Sequence, residues 1–350
     1  SYDSLSSYLK LNYGSYMDEN TFQSLYADQV LADSYRQHYQ DSLTYTDEET
    51  EAYYNEHTND LDTFGYTVFT VQATVEEQTD EEGNTVEMTD EEKTAALETA
   101  KADALATAQA IQSRLTNGED AQALADEYAD ALYSSSIHTT AMGSTFSSAA
   151  YADWLYDAAR QSGDITLAEL DRSESSAYNY YVVQFDSRTR DDSATADVRH
   201  ILIGAASSGT TPTQEEFDAA EAEAQALLDQ WKAGDATEDS FAVLAVQNTD
   251  DSGSQSTGGL YSGISSTDSL EPNFLNWALD PARQPGDTGI VKNESSSIQG
   301  WHIMYFVGWD DPAWEYTVKS TWKESDTSEW LASLTENVEA VHGSGLDLVS

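Results

Sequence analysis

Residues 276–287 read NWALDPARQPGD, and residues 153–164 read DWLYDAARQSGD. Seven of the twelve positions are identical at an offset of 123: Trp154/Trp277, Asp157/Asp280, Ala159/Ala282, Arg160/Arg283, Gln161/Gln284, Gly163/Gly286 and Asp164/Asp287. That spacing is too long for a solenoid repeat and fits a duplicated domain. The pattern on either side agrees. TFGYTVFTVQA (63–73) is β-branched and aromatic and reads as a strand. Thr89-x-x-Glu92 caps a long helix that ends at Asn117-Gly118, and EDAQALADEYADAL (119–132) is a shorter one. The first copy of the repeated segment follows, then a closing strand, YNYYVVQF (178–185).

From residue 197 the order begins again. VRHILIG (198–204) is a strand, Thr213-x-x-Glu216 caps a helix ended by Ala233-Gly234, and EDSFAVLAVQ (238–247) is a short helix. A polar loop, NTDDSGSQSTGG (248–259), leads to the second copy, and WHIMYFVGW (301–309) closes the unit. The shared segment is expected to be a helix and turn of a common scaffold, with its Trp in the core and Gly-Asp turning into the next strand. Between the strand at 63–73 and the first long helix lies an acidic insertion expected to be a hairpin or loop with Gly83-Asn84 at its tip.

Outside the repeat, residues 1–60 hold ten of the 21 tyrosines, and stretches such as SLYADQVLADSYRQHY (24–39) space apolar residues by three and four. This predicts helices, with Thr46 to Glu49 as a capping box for EETEAYYNEH (48–57). The tyrosines fit either amphipathic packing or an aromatic cradle for unfolded chain. The tail carries EYTVKSTW (315–322), which reads as a strand, and a helix, SEWLASLTENVEAV (328–341).

The 350 residues include 64 Asp and Glu against 15 Lys and Arg, a net charge of −49. Such a field repels phosphate backbones and anionic membranes, so nucleic acid is a poor partner. With no cysteine, thiol catalysis, disulfides and Cys-based zinc sites are excluded. No apolar run approaches the ~18 residues of a membrane span. SYDSLSSYLK (1–10) does not read as a signal peptide; a chain trimmed of a leader or lipid anchor would look the same.

Glycine-rich phosphate loops and serine nucleophile elbows are missing. TDEEGN (79–84) and NTDDSG (248–253) resemble calcium loops superficially, but counting from Asn248 puts Gly259 where the bidentate Glu belongs. His38, His57, His138 and His342 lie in stretches that offer no partner. His200 and His302 differ, because each sits in a terminal strand of the second unit. A lone strand histidine is more often a satisfied core residue than a catalyst. Two on neighbouring strands can bond each other and fix their tautomers.

VRHILI, a capped helix, FAVLA, an Asp-containing loop, GGL, LEPNF, PGDTG and GWHIMYF, in that order over 197–309, resemble a parvulin-type peptidyl-prolyl cis/trans isomerase domain. The layout as a whole resembles exported foldases and chaperones of the PrsA and SurA kind. The resemblance implies an α+β fold: two tandem parvulin-like domains, each a small antiparallel sheet flanked by helices, plus a helical chaperone-like module from the two termini. The expected division is a helical module at 1–61, a degenerate parvulin-like domain at 62–190 and an isomerase domain at 195–310. A strand-and-helix tail at 311–350 is expected to pack on the N-terminal module.

Position by position, the resemblance implies His200, His302 and Asp251 as the catalytic set, with Asp250 an open alternative to Asp251. It implies Leu260, Leu270 and Phe274 as the pocket for the proline ring, with Gln299 beside it. In the first unit the positions of His200 and His302 hold Val68 and Tyr181, so that copy is expected to keep the fold without the chemistry. The stretch GAASSGTTPTQEE (204–216) has no Lys or Arg, which implies no phospho-specificity. The resemblance implies no cofactor and no metal. Its partners would be unfolded or partly folded proline-containing polypeptides, met outside the cell or at its surface. Membrane contact would come only through a lipid anchor not in this chain. The alternative left open is an inactive holdase whose parvulin-like domains only bind peptide.

Overall fold

The computed structural model describes residues 4–336 and 338, apart from 16, 76–77, 80–84, 87, 173–176, 208 and 295–296. The chain divides into two compact units, 1–53 with 317–350, and 54–316.

In the smaller unit, α1 (Leu5–Tyr13) and α2 (Glu19–Ser42) precede α3 (Asp47–Glu56), which the Thr46–Glu49 box opens as expected: the Glu49 N–H donates to Thr46 Oγ1, and the Thr46 N–H to Glu49 Oε2. The C-terminal segment joins them through aromatic contacts. Trp330 stacks on Tyr39 at 4.1 Å between ring centroids, and Trp322 meets Tyr45 and Tyr53 edge-on at 5.2 Å. Residues 315–322 correct the sequence reading. They are not a strand but part of the last helix, which runs Ala313–Thr335. Trp314, Val318 and Trp322 recur every fourth residue, and that period outweighs the local β-branched content.

The larger unit holds two four-stranded antiparallel sheets. After the single turn of α4 (Thr58–Leu61), the first sheet opens with β1 (Thr63–Thr74). Two short strands, β2 (Gln78–Thr79) and β3 (Thr85–Val86), pair in the acidic insertion; the expected tip at Gly83-Asn84 lies outside the described residues. Next come α5 (Asp90–Thr116), α6 (Ala121–Glu127), β4 (Ser134–Met142), α7 (Ala152–Tyr156), β5 (Ile165–Arg172) and β6 (Ala177–Thr189), with strand order β4-β1-β6-β5.

The second sheet starts at β7 (Ala194–Gly204) and continues through α8 (Gln214–Ala233), α9 (Glu238–Asn248), β8 (Leu260–Ile264), α10 (Pro272–Ala278), β9 (Thr288–Asn293) and β10 (Gly300–Pro312). Its order, β8-β7-β10-β9, matches the first position for position. The helix from residue 313 is then α11. The capping boxes Thr89–Glu92 and Thr213–Glu216 form as the spacing predicts. Periodicity found the central strands but not the edge strands β4, β5, β8 and β9, whose turn-rich or charged sequences carry little pattern.

The repeated segment does the same work twice. Arg160 lies over the Trp154 ring at 4.9 Å, and Arg283 over Trp277 at 4.3 Å. Each arginine also pairs with its own Asp157 or Asp280. Gly163 and Gly286 adopt φ of 91° and 92°, a region natural only to glycine. Their N–H groups donate to Phe185 O and Phe306 O, and those residues' N–H groups return to Asp164 O and Asp287 O. Both tryptophans are half-buried at the margin of the core rather than inside it, each with its arginine lying over the ring.

Strand alternation sets two faces on each sheet. Ile201, Ile203 and Ile303 pack against α8 and α9, while Val198, Met304 and Phe306 turn the other way. In the first sheet, Phe69, Val71 and Val182 face α5, and Tyr66, Val68 and Val183 face away. Full burial of each such side chain stabilises by roughly 1.5–3 kcal/mol.

Candidate active site

In β7 and β10, His200 stands opposite Met304 and His302 opposite Leu202. The histidines therefore sit diagonally on neighbouring central strands, on the face turned away from α8 and α9. Their Nδ1 atoms are 3.0 Å apart, and both side chains are buried. At that separation the two Nδ1 atoms share one proton.

The loop after α9 delivers the third group. Thr249 Oγ1 accepts from the N–H of Leu202 and of Asp251, while the Asp250 N–H donates to Leu202 O. Stitched to β7 in this way, the loop places Asp251 Oδ2 at 3.1 Å from His200 Nε2. Asp250 turns aside and accepts from the Gly204 N–H, so of the two open aspartates it is Asp251 that meets the histidines. Ser254 Oγ donates to Asp251 Oδ2 at 2.6 Å, the Tyr261 hydroxyl approaches the same oxygen at 3.3 Å, and the Gly253 N–H donates to Oδ1.

These contacts fix the electrostatics. The His200 hydrogen bond, helped by Ser254 and the Gly253 N–H, holds the Asp251 carboxyl well below the usual range even though burial pushes the other way. Asp251 is therefore a carboxylate and takes its proton contact from His200 Nε2–H. Burial first, then the neighbouring His200, pushes His302 down to about 3, so its imidazole is neutral at physiological pH. Burial, and the Asp251 charge next, raise the Tyr261 phenol, which stays protonated.

Glycine is obligatory at the loop's end. Gly258 and Gly259 have φ of 69° and 75°, and a Cβ on Gly259 would lie 2.1 Å from His200 O. The His200 N–H donates to Gly259 O, so this close approach anchors β7 to the loop.

Above the histidines opens a cleft of about 250 Å³. Phe274 packs edge-on to both imidazoles, with centroids at 5.3 and 5.2 Å, and Tyr261 stands 5.0 Å from His200. Of the expected pocket residues, Leu270 and Phe274 line the cleft. Leu260 does not. It pairs with Arg199 one residue before Tyr261, and alternation along β8 sends it to the opposite face. Tyr261 takes the place assigned to Leu260. Gln299 is likewise absent from the lining: its Nε2 donates to Glu294 O, and Ile298 lines the wall instead. Ser254, Glu271 and Ile298 were not singled out from the sequence, and Tyr261, which stands where the family's turn usually has glycine, was not placed in the pocket. The period-two step from Leu260 was the one available signal, for Tyr261.

The corresponding face of the first sheet is built differently. Val68 pairs with Val183 and Thr70 with Tyr181, the same diagonal register that relates His200 and His302. There the ring of Tyr181 meets Tyr151 at 5.5 Å, and Phe146 packs against Tyr66 and Tyr156. Among the histidines expected to lack partners, His138 pairs its Nδ1 with Asp186 at 2.9 Å, a partner 48 residues away that local sequence could not reveal. His57 is also engaged, and His342 lies outside the described residues.

Residues 200–308 match the family model of the PPIC-type PPIase domain, named Rotamase. No curated protein matches the chain. Among solved structures, the peptidylprolyl isomerase PrsA of Bacillus anthracis is 18% identical with a TM-score of 0.26. The likeness covers 43% of this chain and 64% of that one, less than two thirds of its length. A structure of the SurA-like chaperones PEB4 and Cj1289 of Campylobacter jejuni gives 13% identity and a TM-score of 0.23 over 86% of this chain and 96% of that one. At these TM-scores neither likeness bears on how the rest of the chain is arranged. The segment 200–308 is a peptidyl-prolyl isomerase domain of the parvulin type.

Proposed function

We propose that the chain is a foldase that isomerises Xaa–Pro bonds in unfolded or partly folded exported polypeptides, outside the cell or at its surface, with its active site in the His200–His302–Asp251 cleft. The observation that carries this is the placement of a buried, hydrogen-bonded histidine pair and an ionised aspartate at the floor of an apolar cleft, inside the matched segment.

The chemistry requires neither nucleophile nor metal. Rotation about the prolyl amide faces ~18–20 kcal/mol because resonance is lost at the twisted state. Binding the twisted amide more tightly than either planar form lowers that barrier. Planar amides are the more charge-separated form and are stabilised by water. Phe274, Leu270 and Ile298 hold the proline ring and exclude that water. Asp251, held as a carboxylate by His200, Ser254 and Tyr261, repels the negative charge that resonance places on the carbonyl oxygen of the planar amide, and that repulsion falls as the twist removes the resonance. His200 and His302 keep Asp251 in place. The stretch 204–216 supplies no cation for a phosphate, which supports a substrate without phosphorylation.

The first sheet is best read as a second parvulin-like copy in which aromatic packing has replaced the histidines. A peptide-isomerisation assay on the full chain tests the reading. It predicts catalysis of an Ala-Ser-Pro-Ala peptide and no gain when that serine is phosphorylated. No rate above the uncatalysed one would overturn it.

A holdase activity is favoured by a separate observation. Helix α2 buries no residue, and Leu25, Tyr26, Val30, Leu31 and Tyr35 along it are exposed. Large apolar side chains left exposed around one helix of an acidic chain suit contact with unfolded polypeptide.

A further inference from the structure

The cleft carries one carboxylate for which the site has no use. Asp251 is committed to His200, Ser254, Tyr261 and the Gly253 N–H. Glu271, half-buried on the wall between Leu270 and the start of α10, meets only neutral donors: the Phe274 N–H at 2.9 Å and Asn273 Nδ2 at 3.2 Å. No residue lining the cleft is Lys or Arg. Asn273 Nδ2 also donates to the backbone carbonyl of Lys292, a cation on β9. Its ammonium is turned elsewhere, to Glu294 at 2.7 Å and over the Phe217 ring at 4.6 Å. Among the described residues Glu271 has no ion-pair partner, and the stretch 204–216 offers none.

A half-buried carboxylate attracts an incoming cation more strongly than a surface one, because less water screens the pair. It disfavours an incoming anion for the same reason. We propose that Glu271 makes this site selective for prolyl segments carrying Lys or Arg beside the proline, and that it rejects segments carrying Asp, Glu or phosphoserine there. The inference rests on the isomerase reading and names its substrate class.

The test is NMR exchange on the full chain with five peptides: Ala-Lys-Pro-Ala, Ala-Pro-Lys-Ala, their glutamate counterparts and Ala-Ala-Pro-Ala. At low ionic strength at least one lysine peptide exceeds its glutamate counterpart by about tenfold in kcat/KM. In Glu271→Gln, whose amide oxygen still accepts from the Phe274 N–H, that ratio falls to within about threefold. Glu271→Ser, which keeps an N-cap oxygen, is the second variant should the first fail to fold. A ratio near one in the unaltered chain overturns the inference. So does a ratio that survives both substitutions, because the charge of the whole chain would then set it. Turnover of Ala-Ala-Pro-Ala with equal lysine and glutamate rates removes this inference alone. No turnover of any peptide removes the isomerase reading and this inference with it.

Discussion

His302 is the residue at which structure and solution behaviour meet most directly. Its imidazole binds a proton near the ordinary 6.5 in the unfolded chain but only near about 3 in the fold. Between those values the unfolded state binds more protons, so stability falls as the pH drops from about 6.5 toward 3. Asp251, depressed below the ordinary 3.8, contributes stability that is present above that value and is lost on further acidification. The His302 term approaches roughly 1.4 kcal/mol per pH unit. Urea unfolding of the full chain from pH 7 to pH 4 is expected to show this slope and to show less of it in His302→Gln. Equal slopes would mean that the buried pair does not control acid stability. In the sequence these two histidines were legible as a pair because each lay in a terminal strand of the same unit. Ser254 and Tyr261 were not, since their roles depend on a loop held to β7 through Thr249.

At the scale of elements, the repeated Trp-Asp-Arg-Gln-Gly-Asp pattern identified the scaffold because its bonds are local and occur in both copies. The edge strands β4, β5, β8 and β9 escaped because they gain their pairing from a neighbouring central strand, not from their own alternation. The tail at 315–322 misled for a related reason: its β-branched residues are local, whereas its helical period shows only over a longer window. Two glycines separate two costs at this scale. Gly163→Ala meets nothing within 4 Å and is expected to cost about 1–2 kcal/mol for the left-handed backbone alone. Gly259→Ala forces a Cβ against His200 O as well and is expected to cost more than about 3 kcal/mol and to abolish isomerisation. Chemical denaturation of the two variants checks the order. A Gly259→Ala chain as stable as Gly163→Ala would show that the loop is not anchored to β7 as described.

For the molecule as a whole, composition limited the partners but did not say where they bind. The net charge of −49 disfavours anionic partners and self-association alike. The tyrosine-rich start of the chain left amphipathic packing and an aromatic cradle as two readings, and contacts within the smaller unit supply the first for several of the rings. Tyr39, Tyr45 and Tyr53 pack on the tryptophans of α11, Tyr35 touches Trp330 at 5.5 Å while staying exposed, and Tyr26 is exposed on α2 beside Phe22. Leu25→Ser with Leu31→Ser is expected to weaken suppression of client aggregation by the full chain several-fold and to leave peptide isomerisation intact. Unchanged suppression would remove α2 from the chaperone reading.

The central claim is that catalysis resides in the second sheet's cleft and depends on the Asp251 charge against the histidine pair. The most direct measurement is the isomerisation rate of the full chain carrying Asp251→Ala, beside Asp186→Ala, which removes the half-buried partner of His138 in the first sheet. Asp251→Ala is expected to lose at least about tenfold in kcat/KM, and Asp186→Ala to match the unaltered chain. Full activity in Asp251→Ala would contradict the account.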